Sequence, residues 1–285
     1  MASQAQKVID NIPGDFFVDS SCINCDACRK IAPQTFSDNG QFSFVKKQPQ
    51  GKMEKLNAQM ALLSCPVNSI GDLSNNNMKD ALNNLPKLLA PEIYLNGFNS
   101  KKSYGADTYF IKSSKGNWLI DSPRFNPHLV KKFQQMGGIK YIFLTHQDDV
   151  ADYEQYAQKF HAKVIIHEFD RKSAPSADII ITGFNEQDYG EAKILPVPGH
   201  TKGHMILCWK EKYLFTGDHF AYLKSKNRYG SFENYCWYDW DEQKSSLNKM
   251  KIFKNVDHIF PGHGQMGTLG PNEFPKIIDQ YLATV

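Results

Sequence analysis

No apolar run in the 285-residue chain approaches the length of a bilayer span, about 20 residues. Apolar runs such as Tyr141–Leu144, Val164–Ile166 and Ile179–Ile181 are strand-length. No block of like charge is present either. The 33 basic and 30 acidic residues are mixed along the sequence and leave a net charge of +3. Neither a basic tract for nucleic acid nor an acidic tail follows from such a pattern. No repeat of solenoid period is visible. The opening M-A-S-Q-A-Q-K lacks the apolar core of a secretory signal and is too short before the first cysteine motif for a transit peptide, so a cytoplasmic location is expected. Cysteine is scarce, at six residues. Hydrophobic residues make up 41% and charged residues 22%, as in an ordinary globular protein. The length allows one large or two unequal domains, each with its own core.

Four of the six cysteines form a pattern. Cys22, Cys25 and Cys28 stand in a C-x2-C-x2-C run, and Cys65 follows 37 positions later, directly before Pro66. Thiolates two residues apart on a tight loop converge on one face of an iron–sulfur cubane, and a Cys-Pro from elsewhere closes it. Ala32 occupies the place before Pro33 where a two-cluster protein would put its next cysteine, so one cluster is implied. A zinc site with four cysteine ligands is the other reading that the spacing permits. Cys208 and Cys236 are left over, and buried free thiols in a reducing compartment fit them. The stretches from Asp19 to Pro33 and from Ser64 to Ile70 resemble a small single-cluster bacterial ferredoxin. The resemblance covers about residues 8–72 and implies one [4Fe-4S] cluster on Cys22, Cys25, Cys28 and Cys65.

The organisation read from the sequence is a ferredoxin-like part over 1–72, a linker helix over 73–90 and a larger part over 91–285. The linker rests on a helix-like run, Met78–Leu89, interrupted by Pro86. Beyond Pro91 short strands alternate with helices. Strands are expected at Tyr109–Ile111, Trp118–Ile120, Tyr141–Thr145, Lys163–His167, Asp178–Thr182, Lys193–Val197, Met205–Trp209, Tyr213–Thr216 and His258–Phe260. A hairpin turn is expected at Lys210–Lys212. Helices are expected at Pro127–Met136, Val150–Phe160, Asp241–Phe253 and Glu273–Leu282. Val150, Tyr153, Ala157 and Phe160 keep the helical period of an amphipathic surface helix. Hairpins mixed with βα units suggest sheets covered by helices on their outer faces.

Histidines and aspartates gather in loops just after these strands. The loops are Thr145–Asp152 (T-H-Q-D-D-V-A-D), Pro198–His204 (P-G-H-T-K-G-H), Phe215–His219 (F-T-G-D-H) and Phe260–Gly264 (F-P-G-H-G). Function commonly sits in such loops on a rigid scaffold. Four in this order, over about residues 95–285, resemble the metallo-β-lactamase superfamily, with its T-H-x-H-x-D-H, P-G-H-T, G-D and G-H-G motifs. The turn beginning at Asp121 matches the aspartate turn that precedes those motifs. The stretch Cys236–Gln243 is similar to the ferredoxin-fused members of cyanobacteria and plants. The resemblance implies an α+β chain: a small ferredoxin-like domain followed by an αββα sandwich with a dinuclear metal site.

Carried over by position, His146, His200, Asp218 and His263 match, with Asp218 bridging two metals. Two extra residues precede the motif aspartate, which makes Asp152 the match. Asp148 takes the middle-histidine place with Asp149 as a competitor, and Tyr153 takes the last. The implied set is His146, Asp148 and His200 on one metal, Asp152 and His263 on the other, and Asp218 between them. Asp152 and Asp218 are the candidate catalytic residues. Carboxylates in place of imidazole move preference from zinc towards iron or manganese. Flavodiiron proteins, on the same fold, likewise put a carboxylate in the middle-histidine place.

Other readings stand beside these. Tyr153 falls on the apolar side of its helix and reads as core. Asp149 reads as a solvated helix-start residue. Among the other histidines, His204 and His219 are close enough in sequence to line the pocket, and the aromatics from Tyr235 to Trp240 read as lid or wall. Three carboxylates crowded without metal should leave at least one with a raised pKa, through like-charge repulsion. The function implied is a hydrolase acting through metal-bound hydroxide on an ester, thioester, lactone or phosphoester. The alternatives are a diiron oxidoreductase fed by the cluster and a redox-responsive binding module with a degenerate metal site. The partners implied are a small-molecule substrate and a redox partner protein.

Overall fold

The computed structural model describes residues 2–74 and 77–285. The chain divides into two compact units, Met1–Lys140 with Ala151–Phe160, and Tyr141–Val150 with His161–Val285.

In the first unit, strand Phe16–Val18 pairs antiparallel with Ile70–Asp72. Between them in sequence lie helix Ala27–Ile31, a hairpin of Phe36–Asp38 with Ser43–Val45, and helix Gly51–Ser64. The loop that carries Cys22 and Cys25 turns tightly because Asn24 and Asp26 adopt left-handed backbone (φ 56° and 70°). Asn and Asp tolerate that region better than other non-glycine residues. Helix Gly51–Ser64 stops at Cys65, because the residue before a proline is pushed out of the helical region.

The linker run is shorter in the structure than the sequence suggests. Its helix spans Lys79–Asn83, and Lys87–Ala90 is a strand. Pro86 has no amide to continue the helix. Residues 75–76 of the linker lie outside the described residues. Strands Lys87–Ala90, Ile93–Leu95, Tyr109–Ile111 and Trp118–Ile120 follow as an antiparallel meander. Helices Pro127–Gln135 and Tyr153–Phe160 complete the unit. Asn126 caps the first of these through the His128 amide (2.8 Å), as an N-cap side chain does. Phe133 stacks on Phe110 at 4.8 Å and meets Tyr156 edge-on at 5.9 Å.

In the second unit, strands Tyr141–Phe143, Lys163–His167 and Ile179–Ile181 run parallel. A six-stranded sheet has the order Gln187–Asp188, Ala192–Pro196, Met205–Trp209, Tyr213–Gly217, His258–Pro261 and Gly267–Thr268. Its third and fourth strands are joined by the expected turn, where Lys210 and Glu211 both have positive φ. Helices Trp240–Met250 and Phe274–Leu282 supply Leu247, Met250, Phe274 and Ile278 to a core shared with Ile206, Cys208, Leu214 and Ile259. The Cys208 thiol is fully buried, as expected. A hairpin of Ala221–Leu223 with Arg228–Gly230 was not foreseen from the sequence. No helix among the described residues is long and apolar enough to cross a membrane.

The expected helix over Val150–Phe160 begins only at Tyr153. Ala151 takes a positive φ of 36°, so residues 147–152 form a loop after the strand. That shift decides which aspartates face the site.

Candidate functional site

Each unit holds one constellation. In the first, Cys22, Cys25, Cys28 and Cys65 line one cavity together with Val18, Ile23 and Ile70. Cys28 and Cys65 are buried, while Cys22 and Cys25 are partly exposed. The amides of Asn24 and Ser43 donate to Cys22 Sγ (3.4 Å each), and that of Ser69 donates to Cys65 Sγ (3.3 Å). Burial pushes the Cys25 thiol up to about 12 and the Cys28 thiol up as well. Thiols raised in this way, Cys25 and Cys28, need a cationic centre beside them to exist as thiolates. Amides aimed at sulfur are the setting in which iron–sulfur clusters are held and tuned. The residues therefore fit a cluster. The Arg124 guanidinium donates to the carbonyls of Leu63 (2.6 Å) and Cys65 (2.9 Å) and holds the fourth ligand's backbone in place.

The second constellation is built by four loops of the second unit. His146 follows strand Tyr141–Phe143, His200 follows Ala192–Pro196, Asp218 follows Tyr213–Gly217, and His263 follows His258–Pro261. His146 Nε2 lies 3.8 Å from both Asp148 Oδ2 and Asp218 Oδ2. His200 Nε2 lies 3.9 and 3.7 Å from the same two oxygens. These edges are slightly wider than the ~3.4 Å of a tetrahedron with ligands about 2.1 Å from its centre. The Nε2 atoms of His146 and His200 are buried without a hydrogen-bond partner, as ligand atoms aimed at a cation would be. Burial, aided by the neighbouring His200, pushes His146 down to about 3. Burial also lowers His200. Neutral imidazole is the form that binds metal. The donor set fits a divalent ion.

Asp218 lies between two groups. Its Oδ2 faces His146 and His200, and both its oxygens lie 2.9 Å from His263 Nδ1. Burial opposes its ionisation, yet His263, His146 and His200 together hold it well below the usual carboxylate range. Gly262 lets the last loop close on it, since a Cβ there would stand 2.8 Å from oxygens of both Asp149 and Asp218.

The structure redistributes the aspartates. Among the described residues, the groupings able to hold a metal are His146 with Asp148 and His200, and His146 with Asp149 and Asp218. Asp149 is 1% exposed. It is not the solvated helix-start residue that the sequence suggested, because the helix starts later and the loop turns it inward. Asp152, the motif match, stands in neither grouping. Lys102 Nζ (2.6 Å) and the Phe125 amide (2.7 Å) take its oxygens instead. Asp148 has a raised pKa as foreseen for one carboxylate, but burial is the first cause, with the charges of Asp218 and Asp170 adding to it. Tyr153 is buried and its hydroxyl donates to Glu154 (3.1 Å), which suits its reading as core.

Two buried residues were undervalued or missed. His204 stacks on His146 at 5.0 Å, and its Nε2 accepts the Asp218 amide (3.3 Å). Asp170, 2% exposed, has no motif around it. It accepts from the Gln147 amide (3.1 Å), the Thr201 hydroxyl (2.6 Å) and the Gly203 amide (3.1 Å). One carboxylate thus ties the loop after His146 to the loop after His200. Asp170→Asn sets an NH2 group against donors and should weaken manganese binding about 10–100-fold, the usual effect of losing an outer-shell partner. Titration against a chelating dye checks this, and an unchanged affinity would remove Asp170 from the site. The aromatic stretch is tied to the same loop, with the Trp237 and Tyr238 amides donating to His200 O (2.9 and 3.2 Å). The Trp237 side chain is 62% exposed beside it.

Comparison with known proteins bears on both parts of the chain. Residues 18–72, which include all four cluster cysteines, match the family described as the 4Fe-4S single cluster domain of Ferredoxin I. A curated hydroxyacylglutathione hydrolase of Pelagibacter ubique is 30% identical over 131 residues, covering 44% of this chain and 52% of that protein. The chain thus spans about half the length of that relative. Among solved structures, the metallo-β-lactamase FIM-1 of Pseudomonas aeruginosa in its mono-zinc form aligns with TM-score 0.52 and 16% identity, covering 69% of this chain and 93% of that one. A metallo-β-lactamase of Hirschia baltica aligns with TM-score 0.52 and 13% identity, covering 68% and 95%. The chain therefore joins a single-cluster ferredoxin segment to a metallo-β-lactamase fold, the α+β arrangement expected from its motifs.

Proposed function

We propose that the chain is a metal-dependent hydrolase of an ester, thioester, lactone or phosphoester, carrying a [4Fe-4S] cluster on Cys22, Cys25, Cys28 and Cys65. The observation that supports the hydrolytic reading most is the convergence of His146, His200, Asp148 and Asp218 at 3.7–3.9 Å. His146, His200, Asp148 and Asp218 would hold a divalent ion there, and such an ion would lower the pKa of a water towards about 7 and polarise the scissile oxygen. The protein's part is to hold that geometry. His146 and His200 stay neutral through burial, and Asp218 stays ionised between them and His263. Asp148, 46% exposed at its side chain, is the solvent-facing member of the group. That the similar curated protein is named a hydrolase supports the reaction class.

A second reading is a diiron oxidoreductase fed through the cluster. The burial of Asp149 beside Asp218 favours it, because a carboxylate-rich set suits iron or manganese better than zinc. Metal analysis of anaerobically purified protein separates the two. About four irons per chain, with zinc in the second site and turnover of an ester panel, supports the hydrolase. About six irons, with no ester turnover, supports the diiron reading.

A further inference from the structure

One segment far beyond the cysteine motif closes over the thiolate cavity, and neither reading above uses it. It runs over residues 99–107, between strands Ile93–Leu95 and Tyr109–Ile111. Gly105 meets the ligands directly. A Cβ there would lie 2.7 Å from both Cβ and Sγ of Cys25, and 3.0 Å from Cγ of Pro66, the residue after Cys65. The backbone thus passes against two ligand-bearing turns where a side chain has no room, and its φ of +84° calls for glycine as well. To one side, the Tyr104 hydroxyl donates to Ile23 O (2.7 Å), between Cys22 and Cys25. To the other, Asp107 Oδ2 lies 2.7 Å from Nζ of Lys30, on the helix that carries Cys28.

The segment also has a fixed shape. The buried Asn99 side chain shares its two amide hydrogens among Gly105 O (2.9 Å), Ala106 O (3.0 Å) and Asp107 Oδ1 (2.9 Å). The Gly105 amide closes back on Ser100 O (2.8 Å). Tyr104 takes a left-handed φ of 48°, which a bulky residue keeps only where its surroundings impose it. The two strands that it joins are antiparallel neighbours, and such strands need only about two to five residues between them. Length and anchoring therefore call for a role other than connection.

We propose that residues 99–107 are a strap that belongs to the cluster site and sets how fast small solutes reach the cluster. Its contacts touch or adjoin the segments that carry all four ligand cysteines, and the shell around a metal site controls solvent access. Opening the strap is a local event that needs less free energy than unfolding the unit. The inference rests on the [4Fe-4S] assignment, so iron and sulfide are measured first. Wild type without them fails that assignment and takes the strap with it, whereas wild type that holds them tests the strap alone.

The experiment follows loss of visible absorbance from the anaerobic full chain after EDTA is added. Iron leaves to the chelator in the oxidation states it holds in the cluster, sulfide leaves protonated, and the four thiolates take up protons, so no electron is transferred. Tyr104→Phe removes one exposed tie and should lose the cluster about threefold faster than wild type, through easier opening. Gly105→Ala pushes the backbone off Cys25 and should lose it about tenfold faster or more. If Gly105→Ala takes up no cluster, Tyr104→Phe decides. A rate equal to that of wild type in either loaded variant overturns the proposal. Faster loss that tracks a lower melting temperature is general loosening and overturns it as well.

Discussion

Asp218→Ala should abolish metal uptake at the His146–His200 centre and lower hydrolysis by more than the ~100-fold that loss of an outer-shell partner can cost. Its carboxylate faces both imidazoles and His263, so its removal leaves three imidazoles without the charge that gathers them. A bound cation also stabilises the fold by mass action, about 2.7 kcal/mol at a hundredfold excess over Kd. Manganese or iron should therefore raise the melting temperature of the wild type, more than zinc does, and leave that of Asp218→Ala almost unmoved. Equal melting gains in the two proteins would show that the metal binds elsewhere. A gain from zinc alone would remove the diiron reading and leave the hydrolase.

Cys65→Ser is expected to give a nearly colourless protein with most iron and sulfide gone, whereas the wild type should be brown and bleach with dithionite. The reason is partly the ligand count, three thiolates instead of four. It is also the position of Cys65. The residue closes helix Gly51–Ser64, its sulfur accepts the Ser69 amide, and its carbonyl is held by Arg124. Serine at this position would present a poor ligand. Because metal binding is coupled to folding, the variant should also lose helicity and resistance to protease within residues 18–72. Full iron and sulfide content in this variant would end the cluster assignment.

The cysteine motif was legible because its ligands are local. Cys22, Cys25 and Cys28 share one tight loop, and Pro66 marks the end of the helix that brings in Cys65. The loops bearing His146, His200, Asp218 and His263 were legible for a similar reason, since each directly follows an apolar strand that the alternation reveals. Asp152 was assigned by counting along the motif, and such a count does not register where the following helix begins. Moving the helix start to Tyr153 turns Asp149 inward and leaves Asp152 to Lys102 and the Phe125 amide.

By itself, then, the sequence determined ligand chemistry wherever spacing along a single loop or strand end fixes which atoms can meet. Only the tertiary structure decided which aspartate faces the histidines, that Asp170 joins two loops 23 and 31–33 residues away from it, and that Lys30 meets Asp107. Those pairings are long-range. No helical or strand period encodes them, because they come into being only when loops that are distant in the chain pack together and a buried polar group must find a partner.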